Sequence, residues 1–295
     1  MIDLFGVPVQ ALLGQLILGL VNGSFYAVLS LGLAVIFGML NVINFSHGTM
    51  YMMGAYGAWM ALNWFGIGYW WSLLLVPLAM VIVGVAIERL LLRWIYGLDH
   101  LYGLLLTFGL TLIIEGVYRD QFGSGGQPYP LPQGLDGFVD LGFMIMPNYR
   151  LWVVVASLAI CLVTWLVIER TRLGSYLRAA IENQRLVQSF GVNVPIMLAL
   201  TYGVGVALAG FAGVIAAPVI QINPLLGQHI IIVVFAVVVI GGLGSILGSI
   251  VTGVALGMIE GLTKVFYPEA SSTIVFIIMA IVLMVKPAGL FGREH

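Results

Sequence analysis

The chain has few charged residues. Asp, Glu, Lys and Arg make up only 8% of its 295 residues, whereas 61% are hydrophobic; in soluble domains roughly 25% are charged. Because so few polar side chains cannot cover its surface, the chain requires lipid as its solvent. Its apolar runs are continuous and lack the period-two alternation of a membrane barrel strand. The sequence therefore predicts an all-α fold, a polytopic transmembrane helical bundle that forms one domain over residues 1–295.

Other absences in the sequence exclude several kinds of functional site. Cys161 is the only cysteine, which excludes a disulfide framework and a cysteine metal cluster. Neither Lys264 nor Lys286, the two lysines, follows a glycine, so the chain lacks the P-loop that binds ATP phosphates. The histidines lie at no metal-ligand spacing, and the HExxH and GxSxG motifs are absent. We therefore expect no catalytic residue, metal or cofactor, and the net charge of −1 argues against nucleic acid.

The hydrophobic segments predict about nine membrane spans, within a range of about eight to ten, at about 20 residues each. The N-terminus lacks the basic region of a signal peptide, so the first segment is expected to stay as a span. The spans are placed near residues 11–40, 46–65, 70–94, 101–118, 151–168, 195–218, 228–246, 249–263 and 272–286.

The distribution of Lys and Arg predicts the orientation. Arg119, Arg150 and Lys264 fall on one set of connections between spans. The others fall on the opposite set: Arg89, Arg93, Arg170, Arg172, Arg178, Arg185, Lys286 and Arg293. Because cytoplasmic connections are enriched in Lys and Arg, the N-terminus is predicted to be periplasmic and the C-terminus cytoplasmic.

Two connections between spans are long. Residues 119–150 are rich in Gly and Pro and are predicted to form an extracytoplasmic loop. Residues 169–194 are predicted to be a cytoplasmic coupling segment, with one short helix after Gly174 that ends at Gly191. An apolar stripe opposite charged residues suits this helix for docking on a partner. The stripe comprises Leu177, Ile181, Val187 and Phe190, and the charged residues are Arg178, Glu182 and Arg185.

A polar stretch, Asn41 to Met53, separates the first two spans. Its polar residues indicate a helix break, and Ser46 is positioned to cap the following helix, whose N-terminus suits a carboxylate. These residues either satisfy the backbone at a turn or border a translocation path. Both interpretations stay open. The candidate pathway residues, which include a second polar stretch after the sixth span, are Asn41, Asn44, Ser46, His47, Gly48, Gln221 and Asn223.

The two polar stretches resemble each other. Residues 32–48 align with residues 210–227 with one inserted residue, so that Asn44 matches Asn223 and Gly48 matches Gly227. The first copy is predicted at the inner side of the membrane and the second at the outer side. This arrangement is compatible with the inverted repeat of many transporters.

Several of the 38 glycines are spaced by four, which lets helix backbones approach closely in lipid. These motifs predict helix packing within the chain, with a dimer interface as the alternative. They are Gly19 and Gly23, Gly244 and Gly248, and Gly253, Gly257 and Gly261.

The acidic residues of the spans fall near predicted helix ends: Glu88, Glu115, Glu169 and Glu260. Glu115 has Arg119 four residues further on. Anchoring of helix ends at the headgroups is the simpler interpretation, with ion coupling as the alternative.

Three segments carry more specific patterns: GLAVIFGMLNVINFSHGTMYMMGAY, LGSYLRAAIENQRLVQSFGVNVPIMLALTYGVGVALAGFAGVIAAP and VVVIGGLGSILGSIVTGVALGMIEGL. Together and in this order they resemble the inner-membrane permeases for branched-chain amino acids, in the ABC importer class. The modest length and the lack of extra N-terminal helices resemble the LivH-type subunit more than its LivM-type partner.

The resemblance implies a permease subunit of the bacterial inner membrane that moves branched-chain or other apolar amino acids and is not an enzyme. It also implies a LivM-type second permease, two cytoplasmic ATPases that bind the ATP, and a periplasmic substrate-binding protein. The residues it assigns to ATPase coupling are Leu177, Arg178, Ala180, Ile181, Glu182, Arg185 and Gly191. Two alternatives stay open: the same machinery for urea, short amides or another small polar solute, and a secondary transporter or channel without ATPase.

Overall fold

Helices make up most of the protein in a computed structural model that describes residues 3–4, 7–40 and 42–292. The helices are α1 (Val9–Leu40), α2 (His47–Phe65), α3 (Tyr69–Leu90), α4 (His100–Phe122), α5 (Asn148–Arg170), α6 (Arg172–Glu182), α7 (Gln184–Ser189), α8 (Val194–Ala216), α9 (Leu226–Gly241), α10 (Ile246–Phe266) and α11 (Ile274–Val285), with 3-10 turns at Leu92–Trp94 and Pro268–Ala270. Strand β1 (Asp3–Leu4) pairs antiparallel with β2 (Val7–Pro8), and β3 (Phe138–Asp140) pairs antiparallel with β4 (Ile145–Pro147).

A helix lies at the position of each predicted span. Within the described residues, six helices are long and apolar enough to cross a membrane: α1, α3, α4, α5, α8 and α10. Helices α9 and α11 are apolar but shorter. The polytopic helical bundle is therefore confirmed, whereas the number of nine crossings stays a prediction.

The connections between helices gather at two opposite ends of the bundle. At the first, which we call the loop end, Gln127 and Ile222 exchange backbone hydrogen bonds of 2.7 and 3.1 Å. At the second, which we call the coupling end, α6 and α7 pack near Leu40, the last residue of α1. The C-terminal tail returns to the end of α9, where the Leu290 N–H donates to the Ile240 carbonyl over 2.8 Å. Most of the Lys and Arg residues predicted to share one side belong to the coupling end, and Arg293 lies outside the described residues.

Glycine allows the two most extensive helix–helix contacts, between α1 and α10 and between α3 and α8. Gly19 and Gly23 of α1 pack against the α10 backbone, where a Cβ at Gly23 would lie 2.9 Å from the Cα of Val254. Similarly, a Cβ at Gly84 of α3 would lie 2.8 Å from the Cα of Gly203 in α8. The glycine motifs of α1 and α10 thus pack against each other within the chain, as predicted.

The coupling segment differs from its prediction. It forms two helices, α6 and α7, because the backbone is extended at Asn183 and the Asn183 side chain caps α7 by accepting from the Leu186 N–H over 3.0 Å. Gly174 lies inside α6 and does not precede it. Gly191 follows α7 with φ of +82°, a left-handed conformation that favours glycine and ends a helix, as predicted.

Gly257→Ala should destabilise the bundle, because its methyl group would meet the Gly23 backbone, which no side-chain rotation can move. We expect the free energy of unfolding to fall by about 1–3 kcal/mol, as for other overpacked sites. The measurement is the thermal unfolding midpoint of the purified protein in detergent. Gly116→Ala is the matched control, since nothing lies within 4 Å of that Cβ position in α4. Equal midpoints for the two variants would contradict the packing argument.

Candidate functional site

The chain between α1 and α2 folds back into the bundle. His47, the first residue of α2, lies against Leu29, which is 11 residues before the end of α1, or about 16 Å along the helix axis. Asn44, Ser46 and His47 are buried, with 1% or less of their surface exposed. Asn41 lies outside the described residues. Helix α2 therefore begins inside the bundle and not at its surface.

Polar side chains form a hydrogen-bond network at this break in the helix, and one of them accepts from a backbone N–H. The Asn44 amide donates from Nδ2 to the Tyr202 hydroxyl over 3.2 Å, and its Oδ1 accepts from the Ser46 hydroxyl over 2.6 Å. The Thr107 hydroxyl accepts from the Phe45 N–H over 3.1 Å. The network joins the break to α4 and α8, which are distant in sequence. Buried polar groups require such partners, above all in lipid.

Ser46 occupies the predicted N-cap position but does not cap α2 with its side chain. Its hydroxyl is engaged with Asn44, so the first N–H groups of α2 have no side-chain acceptor from Ser46. The prediction was right about the position and wrong about the side-chain role. The His47 N–H donates to the Asn44 carbonyl over 3.4 Å, and the other N–H groups of the first turn keep the partial positive charge that suits an anion.

His47 fills a tight space between α1 and α8. Its Nε2 donates to the Leu29 carbonyl over 3.0 Å, which places the proton on that nitrogen, while Nδ1 has no partner among the described residues. A Cβ at Gly32 would lie 2.9 Å from the His47 ring, so glycine is needed at that position. One buried acceptor thus remains free at the start of α2.

The starts of α2 and α9 meet inside the bundle. Gly48 and Gly227 are the second residues of these helices, and a Cβ on either would collide with the carbonyl oxygen of the other. Two helix N-termini therefore face one region, an arrangement that transporters with interrupted helices use to bind carboxylates. In this structure the contact between the two glycines closes the space between the helix starts.

The two remaining predicted pathway residues do not join this cluster. Gln221 is exposed at the loop end, beside Gly126. Asn223 forms a local turn in which its Oδ1 accepts from the Leu225 N–H over 3.0 Å. The structure therefore brings together Asn44, Ser46, His47 and Gly48, whereas the side-chain hydrogen bonds of Asn223 stay within its own turn.

A buried carboxylate near the α9 start was not expected. Glu115 is 3% exposed and accepts from Gln228 Nε2 over 2.6 Å, while its other oxygen has no partner among the described residues. Its partner is therefore Gln228, in contrast to the expected Arg119. Only the presence of an acidic residue in an apolar segment could have indicated this site, since Gln228 lies far along the chain.

The coupling segment has an inner and an outer face. Leu177, Ala180 and Val187 are buried, and the cluster that contains Ala180 and Val187 packs against Leu40 at the end of α1 and against Tyr96. Ile181, 49% exposed, stands on the outer face. The predicted apolar stripe is thus divided between the two faces. Leu186 and Phe190 are also exposed, at 55% and 79%.

The charges of the coupling segment also differ from the prediction. Arg178 pairs with Glu169 at 3.4 Å, instead of with Glu182, and Glu182 and Arg185 are exposed. Because both members of the Arg178 pair are partly exposed, solvent screens it and it contributes little to stability. The pair joins α6 to the end of α5.

The connection between α3 and α4 links the coupling segment to the bundle. The Tyr96 hydroxyl donates to Glu88 over 3.0 Å, and Glu88 also lies 3.7 Å from Arg89. Burial and then the Glu88 carboxylate raise the pKa of Tyr96, so its hydroxyl stays protonated and keeps donating. A cavity of about 210 Å³ next to Tyr96 is bordered by Leu40 and Gln184. The coupling segment therefore packs near the end of α1 and near the connection between α3 and α4.

Comparison with known proteins identifies the family. The family described as branched-chain amino acid transport system, permease component, matches residues 15–284. The chain is 30% identical over 300 residues to the high-affinity branched-chain amino acid transport system permease protein LivH of Escherichia coli (strain K12), covering 96% of each chain. It is also 30% identical over 296 residues to the corresponding protein BraD of Pseudomonas aeruginosa, again covering 96% of each chain.

The chain therefore belongs to this permease family and is a multi-pass membrane component of a transporter. Within the family it is of the LivH type, since its similarity to LivM of Salmonella typhimurium is 26% over 293 residues and covers only 67% of that protein. No solved structure matches the chain.

Asn44→Leu should weaken the helix break, because the Tyr202 and Ser46 hydroxyls would each lose a buried partner. We expect a loss of about 1–3 kcal/mol in the free energy of unfolding, together with reduced transport. Asn63→Leu is the control, since the Asn63 amide is exposed and bonds only locally to the Trp59 carbonyl. Thermal unfolding in detergent compares the two variants. An Asn44→Leu protein as stable as the wild type would show that this network does not hold the break.

Proposed function

We propose that the protein is the LivH-type permease subunit of an ABC importer for branched-chain amino acids in the bacterial inner membrane. Its partners are a LivM-type permease, two cytoplasmic ATPases and a periplasmic binding protein. The family match over residues 15–284 carries the proposal. The chain forms the path, and the ATPases bind and hydrolyse the ATP.

The outer face of the coupling segment supports the proposal that an ATPase is a partner of this protein. Ile181, Leu186 and Phe190 expose apolar surface on short helices that lie outside the spans. Exposed apolar patches of this kind mark interaction sites. Arg185 and Glu182 border the patch and give it polar edges. The ATPase therefore docks on α6 and α7 at the coupling end, which is cytoplasmic, and residues 119–150 are periplasmic.

Helix pairing supports the inverted repeat and the nine crossings. Helix α1 packs on α10 in the way that α8 packs on α3, and the starts of α2 and α9 face each other. This pattern is what a two-fold axis in the membrane plane would give if α1, α2 and α3 correspond to α8, α9 and α10. Gly48 and Gly227, which match in the sequence alignment, would then lie on the axis.

The proposed cycle moves the coupling segment relative to the break. Closure of the ATPases shifts α6 and α7, which press on Leu40 and Tyr96. Leu40 is the last residue of α1, so its displacement acts directly on the chain that leads to Asn44 and His47. Separation of Gly48 from Gly227 would open the space between the two helix starts. Rocking of the two halves then alternates access to it.

The substrate path in this proposal passes the helix starts. The free N–H groups at α2 and the buried free Nδ1 of His47 offer polar groups at this point. Glu115, with one free carboxylate oxygen near the α9 start, offers a partner for an ammonium group. A zwitterionic amino acid requires both kinds of group.

Ile181→Asp should release the ATPases, because a charge would replace an exposed apolar contact. We expect at least a tenfold loss of ATPase subunits that copurify with the permease, with normal membrane insertion. Ile145→Asp is the matched control, since Ile145 is 68% exposed at the loop end. Full copurification and normal uptake in the Ile181→Asp variant would show that this helix is not part of the interface with the ATPases.

Uptake of radiolabelled leucine by the complete complex in proteoliposomes tests the function itself. We expect uptake to require ATP, both ATPases and the binding protein. Uptake that continues without the ATPases would indicate a secondary transporter or channel. If the complex took up urea or a short amide and not leucine, the protein would still be an ABC importer permease, but its substrate would differ from the proposed one.

A further inference from the structure

A second cavity, of about 500 Å³, opens at the loop end. Its lining includes Gln15 and Tyr26 of α1, which are 11 residues apart, so it extends about 16 Å along that helix. Its other walls include Tyr51 of α2 and Ile230 of α9. Ile230 is three residues from Gly227, so the inner part of the cavity borders the place where the starts of α2 and α9 meet.

The cavity carries a net positive charge. Arg150 and Lys264 line it, and Lys264 is neutralised by Glu260 at 2.7 Å. Glu260 also accepts from the Tyr26 hydroxyl over 2.8 Å, so this group is satisfied by a lysine and a tyrosine. Among the described residues, no carboxylate forms an ion pair with Arg150. One partly buried guanidinium therefore remains available to an anion.

The rest of the lining divides into a polar stripe and an apolar wall. Gln15, Asn22 and Tyr26 lie at intervals of seven and four residues, which places them on one face of α1. The apolar wall comprises Leu18, Val21, Phe25, Val219, Ile220 and Ile230. A volume of this size exceeds that of a single amino acid and includes room for water.

We propose that this cavity is the entry site for the amino acid, with Arg150 binding its carboxylate and the apolar wall binding its aliphatic side chain. The proposal rests on the proposed function and deepens it, because it names the first contacts of the substrate inside the permease. Arginine suits the role because its planar guanidinium binds a carboxylate through two hydrogen bonds. The substrate then moves inward to the closed contact between Gly48 and Gly227.

The test uses the complete complex in proteoliposomes, with leucine-loaded binding protein as the delivered substrate. The variants are Arg150→Gln, Arg150→Lys and Val219→Trp, which fills the cavity from an exposed position. Arg119→Gln is the matched control, an exposed cation at the same end that does not line the cavity. The measurements are kcat for leucine uptake, KM for the loaded binding protein, and the thermal midpoint of each variant.

We expect Arg150→Gln to lower kcat roughly 10- to 100-fold, the effect of losing a charged hydrogen-bond pair, with an unchanged KM and thermal midpoint. Arg150→Lys should recover part of the rate, Val219→Trp should also lower kcat, and Arg119→Gln should match the wild type. An unchanged kcat in Arg150→Gln would overturn the inference. So would a raised KM with normal kcat, since Arg150 would then dock the binding protein.

The two proposals fail in different ways. A wild-type complex that takes up no leucine overturns the proposed function and, with it, the entry site. A wild-type complex that transports leucine, together with a fully active Arg150→Gln variant, overturns only the entry site.

Discussion

A helix that is interrupted inside a membrane must satisfy the backbone groups that the interruption releases, because lipid offers them no hydrogen bonds. At the break before α2, the Thr107 hydroxyl of α4 accepts from the Phe45 backbone N–H. Asn44 adds side-chain hydrogen bonds to Tyr202 of α8 and to Ser46. Since Thr107 and Tyr202 belong to α4 and α8, the break also joins two of the helices that surround it.

Glycine residues let the helices of the bundle pack with their backbones in contact. Backbone contact between α1 and α10, and between α3 and α8, leaves no room for a side chain at Gly23 or Gly84. In lipid, such contacts supply the van der Waals attraction that apolar burial cannot. The contact of Gly48 with Gly227 belongs to this set, but it lies between two helix starts and so closes the proposed path. Helix packing and the proposed closure of the path thus both rest on glycine contacts.

The cluster of Ala180, Val187, Val194 and Leu198, which packs against Leu40 and Tyr96, connects the coupling segment and the start of α8 with the end of α1. The break begins directly after Leu40. At the loop end, the positively charged cavity stands on the other side of the same closed contact. The proposed importer therefore has its energy input on one side of the Gly48 contact and its substrate entry on the other.

The sequence by itself determined the solvent, the helical bundle, the positions of the nine apolar segments and the family, because continuous hydrophobic runs and local motifs are properties of neighbouring residues. It also located the break at Asn44 and the helix end at Gly191. Tertiary structure alone decided that Tyr202 is the partner of Asn44, that Glu115 pairs with Gln228, and that the apolar stripe of the coupling segment is divided. These contacts join residues that are distant in the chain, and single-chain periodicity carries no signal for them. Burial of Ser46 likewise turned a predicted helix cap into a partner of Asn44.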